Sequence, residues 1–98
     1  MPKGYVVGRI SVSDPDAYKS YAAAASEAVK LYGGRFLARG GRSEALEGEA
    51  RPRNVIIEFE SYDAARRYYY SGEYQAAIEL RKLISDAQLV VVEGMDPA

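Results

Sequence analysis

Three charged side chains and four tyrosines are the groups in this chain whose types and spacing suit chemistry. Alternation along three neighbouring strand patterns puts Arg9, Glu58 and one of Arg35 or Arg39 on a single sheet face, the one turned away from the helices. A carboxylate between two guanidinium groups stays ionised, so Glu58 is a poor general base. The arginines could instead grip an anion through paired hydrogen bonds, and Arg39, flanked by Gly40 and Gly41, stands where a ligand can approach the backbone closely. The same row also reads as an ion-pair network that sets dimer register, and the sequence favours this plainer reading. Tyr18, Tyr21, Tyr69 and Tyr74 could line a pocket between helices and sheet, their hydroxyls positioning a small polar aromatic molecule. A tyrosine stripe at helical spacing is more often core with its hydroxyls at the rim.

Other groupings carry less. Tyr68, Tyr69 and Tyr70 are consecutive and cannot share a helix face, since each step turns about 100°. With Arg66 and Arg67 before them they look like a basic-aromatic nucleic-acid patch. Thirteen Lys and Arg against fourteen Asp and Glu leave a formal charge of −1, however, which supplies no field to attract nucleic acid or an anionic membrane. Glu44, Glu47 and Glu49 suit a hard cation in type but read as a solvated, charged edge that discourages strand addition. The glycine pairs at 33–34 and 40–41 lack the strand-to-helix context of a phosphate loop.

Absent residues narrow the chemistry further. Without Cys there is no disulfide, thiolate nucleophile or iron–sulfur ligation, and without His the usual neutral-pH proton shuttle and commonest metal ligand are missing. Trp is absent too. Any catalysis must rely on Tyr, Asp, Glu, Ser, Lys or Arg; no catalytic residue, metal or cofactor is assigned. No apolar run approaches the roughly 18 residues of a membrane span, and no apolar signal segment follows Met1-Pro2-Lys3, so a cytoplasmic location is the default expectation.

The elements that must position these groups fit one domain of 98 residues. Tyr5 to Val12 reads as a strand with Val6, Ile10 and Val12 on one face and Tyr5, Val7 and Arg9 on the other. Asp14 is the expected N-cap of a helix with Pro15 in its first position and a stripe of Tyr18, Tyr21, Ala22, Ala25, Val29 and Tyr32, ended by Gly33. A second strand runs from Arg35 to about Gly41; Arg42 to Arg53 reads as a polar hairpin arm, with Glu44 to Glu47 a candidate extension of the edge. The third strand spans Asn54 to Glu60. Ser61 caps a helix that breaks near Ser71-Gly72 and resumes through Tyr74, Ala77, Ile78 and Arg81. Gln88 to Glu93 is the last strand, and the tail from Met95 to Ala98 is expected to be loose.

Strand, helix, two strands, helix, strand is the order of a ferredoxin-like βαββαβ sandwich, an α+β fold with antiparallel sheet order 4132. Two helices cover only one side of that sheet, yet its strands are apolar on both. Four strands about 4.8 Å apart and about 3.3 Å per residue give a face of roughly 400 Å². Burying it at about 25 cal/mol per Å² gives an upper bound of about 10 kcal/mol per chain before entropy costs. A homodimer with the bare sheet faces meeting is therefore expected.

The chain also resembles a known family. The segments Tyr5-Val6-Val7-Gly8-Arg9-Ile10, Asp14-Pro15-Asp16-Ala17-Tyr18, Leu46-Glu47-Gly48, Arg53 to Phe59 and Ser71-Gly72-Glu73-Tyr74-Gln75 all contribute. The double-glycine strand Gly33-Gly34-Arg35-Phe36-Leu37-Ala38-Arg39-Gly40-Gly41 is the most specific part. Together they are similar to the domain-of-unknown-function 1330 family (DUF1330) of the dimeric α+β barrel superfamily, over nearly the whole chain. Gly72 stands where the family commonly has proline. The resemblance implies the fold and a dimer but no settled activity. Other superfamily branches cleave haem, oxidise quinol-like substrates without a cofactor or isomerise lactones, and lack of His counts against the first.

The sequence thus points to a small-molecule-binding dimeric α+β barrel protein, with Tyr18, Arg39, Glu58, Tyr69, Tyr74 and Arg81 as candidate ligand-binding residues for a small anionic or aromatic partner. Two alternatives stand beside it. One is a non-catalytic, self-associating module, a sensor or stabilising subunit; the other is a cofactor-free monooxygenase or isomerase, by superfamily analogy.

Overall fold

The computed structural model describes residues 2–96, so Pro97 and Ala98 of the tail lie outside the described residues. Its elements are β1 (Gly4–Val12), α1 (Pro15–Leu31), β2 (Arg35–Arg39), β3 (Arg53–Phe59), α2 (Tyr62–Tyr70), α3 (Gly72–Glu79) and β4 (Ser85–Glu93). All strand pairs are antiparallel, in spatial order β2-β3-β1-β4, the ferredoxin-like arrangement.

The helix starts follow from local hydrogen bonding. Asp14 accepts the Ala17 amide at 3.1 Å and Ser61 accepts that of Ala64 at 3.0 Å, each satisfying one orphan donor of a first turn. Ser71 serves two helices. Its hydroxyl donates to the Tyr68 carbonyl at 2.7 Å, closing α2, and accepts the Tyr74 amide at 3.1 Å, opening α3. The break expected near Ser71-Gly72 is thus a shared cap with extended backbone (φ −67°, ψ 153°).

Three boundaries differ from the sequence reading. β2 stops at Arg39, because Gly40 takes a left-handed φ of +67° and turns the chain out of the sheet. Glu44 to Glu47 therefore add no edge; the segment from Gly41 to Pro52 is irregular and is tied down by side chains. Arg9 donates to the Glu49 carbonyl at 2.6 Å, and Arg51 donates to Asp86 at its carbonyl (2.9 Å) and carboxylate (3.3 Å). β4 starts at Ser85 rather than Gln88, since its first residues pair with the end of β1 (Val12 with Ser85) although their side chains show no apolar pattern.

One sheet face packs on the helices. Val6, Ile10, Ile57 and Phe59 meet Ala25, Ala28, Val29, Ala64, Ala65, Tyr68 and Ala77, all buried. Small alanines let the helices settle close, and the aromatic rings fill what remains: Phe59 to Tyr68 at 5.0 Å and Tyr68 to Tyr74 at 4.7 Å between centroids. Of the three consecutive tyrosines, Tyr68 is buried and Tyr70 exposed. The molecule measures 42 × 34 × 17 Å, and its thin dimension holds one sheet and one helix layer. The far face of the sheet, carrying Tyr5, Val7, Ile56, Val90 and Val92, has no helix over it; Val90 and Val92 are exposed.

Gly4 tests how tightly β1 meets the start of α2. A Cβ there would collide with the Ser61 carbonyl, whereas one on Gly72 meets nothing within 4 Å. Gly4→Ala is expected to cost roughly 1–3 kcal/mol or more by urea denaturation, while Gly72→Ala stays within about 0.5 kcal/mol of the parent or stabilises it.

Candidate functional site

Phenol and guanidinium groups collect between the helices and the sheet. Tyr18 and Tyr21 from α1 and Tyr74 from α3 point into the layer, with ring centroids 5.0 Å apart for Tyr18–Tyr21 and 6.2 Å for Tyr21–Tyr74. The Tyr21 and Tyr74 hydroxyl oxygens lie 2.7 Å apart, and Arg81, in the turn between α3 and β4, donates from Nη2 to the Tyr74 oxygen at 3.4 Å. Burial pushes the Tyr21 and Tyr68 phenols far above the usual tyrosine value, and burial raises Tyr18 as well, against the pull of the Arg53 guanidinium beside it. These phenols stay protonated at neutral pH and work as hydrogen-bonding groups, not as bases.

Each nearby guanidinium rests on a ring: Arg39 at 4.0 Å over Phe36, Arg53 at 5.1 Å over Tyr18 and Arg81 at 5.2 Å over Tyr21. The ion pairs among the described residues are Lys19–Asp16, Arg35–Glu58, Arg51–Asp86 and Lys82–Glu79, so none of these three arginines has a carboxylate partner. Arg39 donates instead to the Ala22 carbonyl at 2.9 Å, bridging β2 and α1. Arg81 is only 8 % exposed, and its buried Nε has no partner.

Two spaces adjoin this cluster. An inner cavity of about 30 Å³, lined by Tyr18, Tyr21, Phe36, Arg39, Arg53 and Tyr74 among others, has room for a water or two. A groove of about 690 Å³ runs between α2, the α3–β4 turn and edge strand β4, lined by Tyr62, Arg66, Tyr69, Tyr70, Arg81 and Val90 with Ile78 and Leu89. Its size is that of small-molecule sites. Arg81 lies between the two, against both the groove and Tyr74, and Tyr69 packs at a tilt against Tyr74 with centroids 5.5 Å apart.

Of the residues singled out in the sequence, Tyr18, Arg39 and Tyr74 line the inner cavity, and Tyr69 and Arg81 line the groove. Glu58 is separated from all of them on the bare sheet face, where it accepts from Arg35 Nε at 2.9 Å and the Tyr5 hydroxyl at 3.1 Å. It therefore sits between a guanidinium and a phenol, since Arg9 on that face is engaged with Glu49. Arg39 leaves this row because β2 carries a bulge. Phe36 pairs with Ile57 and Ala38 with Ile56, so Leu37 is an extra residue and Arg39 turns to the helix side while Arg35 stays on the other. Arg53, Arg66 and Tyr68 were not among the ligand-binding candidates of the sequence, although Arg66 and Tyr68 stood in its basic-aromatic grouping. Arg53 shares parity with the buried Ile57 and Phe59, a signal that alternation alone could have shown. Glu44, Glu47 and Glu49 do not converge; among the described residues no group of three potential metal-ligating acidic side chains comes together. Nor, among them, is any helix long and apolar enough to cross a membrane.

A two-layer α+β sandwich with a tyrosine–arginine cluster between its layers is the class these features define. The chain belongs to the DUF1330 family, a domain of unknown function, whose model matches residues 3–95. Among curated proteins none matches. Solved structures share the fold at low identity. One is a protein of unknown function from Rhodopseudomonas palustris, with TM-score 0.71, 19% identity and coverage of 98% of this chain and 85% of that one. Another is SnoaB, a cofactor-independent oxygenase from Streptomyces nogalater, with TM-score 0.67, 16% identity and coverage of 98% and 96%. A third is a dimeric ferredoxin-like protein of unknown function from Thermobifida fusca, with TM-score 0.62, 16% identity and coverage of 94% and 91%.

The Glu58 contacts predict an acid limb in stability. Hydrogen bonding from Arg35, then from Tyr5, holds its carboxyl below the ordinary 4.5, although partial desolvation opposes them. A depressed folded value stabilises the fold above pH 4.5 and loses that contribution as pH falls through the folded value. Glu58→Gln should be less stable than the parent near neutrality, and urea titrations across an acid series should show the two curves converging.

Proposed function

We propose that this chain is a homodimeric small-molecule-binding protein whose ligand occupies the groove between α2, the α3–β4 turn and β4. The observation that carries this reading is Arg81, a buried guanidinium with no carboxylate partner among the described residues, lining a space of ligand size beside a wall of tyrosines. Among the described residues neither the groove nor the inner cavity is lined by a carboxylate, and the buried phenols are held protonated. What these residues offer is binding and orientation rather than proton abstraction. That favours a binding role over cofactor-free isomerisation and over cofactor-free oxygenation, the latter being the activity for which the shared fold of SnoaB is the support.

The dimer rests on the bare sheet face. Tyr5, Val7, Ile56, Val90 and Val92 form an apolar surface that no helix covers, and the Thermobifida fusca protein of the same fold is dimeric. Sedimentation should give twice the 10.8 kDa chain mass, and Val7→Lys with Val92→Lys should leave folded single chains. A parent that sediments as folded single chains overturns the dimer. For the ligand, a thermal-shift screen of small neutral and acidic aromatics should give compounds that raise the melting temperature, with amide NMR shifts centred on residues 62–70 and 87–91. No binder across the panel, or shifts confined to the bare sheet face, overturns the groove.

A further inference from the structure

We infer that the groove selects an anion, and that its ligand is a planar aromatic acid whose carboxylate sits on Arg81 while its ring lies against the tyrosine wall. The inference rests on the groove being the binding site and adds the chemical class.

Arg81 sets the charge. A guanidinium carries five N–H donors in a planar fork and does not lose its proton in a protein. Here a single long hydrogen bond, 3.4 Å to the Tyr74 oxygen, and the Tyr21 face at 5.2 Å are its polar contacts. Its Nε, fully shielded from water, has none. Leaving a charge buried and so poorly paired is costly, and an oxyanion arriving from the groove is the partner that would offset it through charge-assisted N–H···O bonding. Among the described residues none supplies one: overall charge is near balance at −1, yet the groove lining contains two arginines and no acid.

The second arginine is at the outer wall. Arg66 lies over the Tyr70 ring at 5.3 Å and among the described residues makes no ion pair, not even with Asp63 one turn earlier on α2. An exposed cation there attracts an incoming anion without holding it. Tyr69 and Tyr70 meet edge to face at 5.1 Å and present both an aromatic face and an edge to the groove, a surface suited to a flat ring. The anchor therefore differs from the one the sequence suggested: Arg39 spans β2 and α1 over the inner cavity, which is too small for a ring, whereas Arg81 reaches the larger space.

The test uses the intact protein and two probes of nearly equal shape, 2-naphthoate and 2-naphthamide. Naphthoate should bind about tenfold more tightly or better, as a charge-assisted pair replaced by a neutral contact requires. Arg81→Met should erase that preference while leaving the free protein as stable as the parent or more so, because it removes a buried charge with no partner. A purely structural role for Arg81 predicts the reverse, a loss of stability with the preference retained. Arg66→Gln, on the surface, should weaken naphthoate a few-fold and flatten the dependence of its affinity on salt. If Arg81→Met does not fold, the naphthoate–naphthamide ratio in the parent and the Arg66→Gln salt profile decide the matter. Equal binding of the two probes in the groove sinks the anion assignment and leaves the groove standing. Binding of neither probe, or of both elsewhere, removes the groove and the inference together.

Discussion

Tyr74 is wholly buried, and a phenol in that position must find its hydrogen bond inside the protein. It finds the Tyr21 hydroxyl at 2.7 Å, and that contact ties α3 to α1 across the helix layer. Much else follows from it. The alanines of α1 allow the approach; Ser71 must end α2 and start α3 so that Tyr74 turns inward; and Arg81, seven residues beyond Tyr74, comes round to the same side. A buried aromatic core and a buried cation are thus products of one arrangement.

The two faces of the sheet carry different chemistries. On the helix side the groove and the inner cavity are lined, among the described residues, by phenols and guanidiniums and by no acid. On the bare side Glu58 accepts from Arg35 and Tyr5 within a surface that also carries Val7, Ile56, Val90 and Val92. Polar contacts within such a surface restrict how a second surface can lie against it.

Much of the fold was legible because its signals are local. Asp14, Pro15 and Ser61 mark helix starts through hydrogen bonds that span three residues, and alternation in Tyr5–Val12 assigns both faces of β1. The site was less legible because it depends on pairing. Nothing within Arg35–Arg39 reveals that Leu37 is unmatched; only its alignment with Ile56 and Ile57 does so. The early start of β4 is of the same kind, being set by the end of β1 rather than by its own side chains. Arg81 was within reach of sequence reasoning through its helical spacing from Tyr74, but its lack of an acidic partner is a three-dimensional fact.

The extra residue in β2 also bears on how such a chain can diversify. Composition is not what distributes positive charge between the two surfaces here; strand register is. Regular pairing of all five residues of β2, with Leu37 opposite Ile56 and no bulge, would set Arg39 opposite Asn54 and carry its guanidinium across the sheet with no side chain altered, stripping the bridge to Ala22 and adding a cation to the bare surface. Relatives that close the bulge in this way would carry a different charge on each surface, even where every aligned residue is identical.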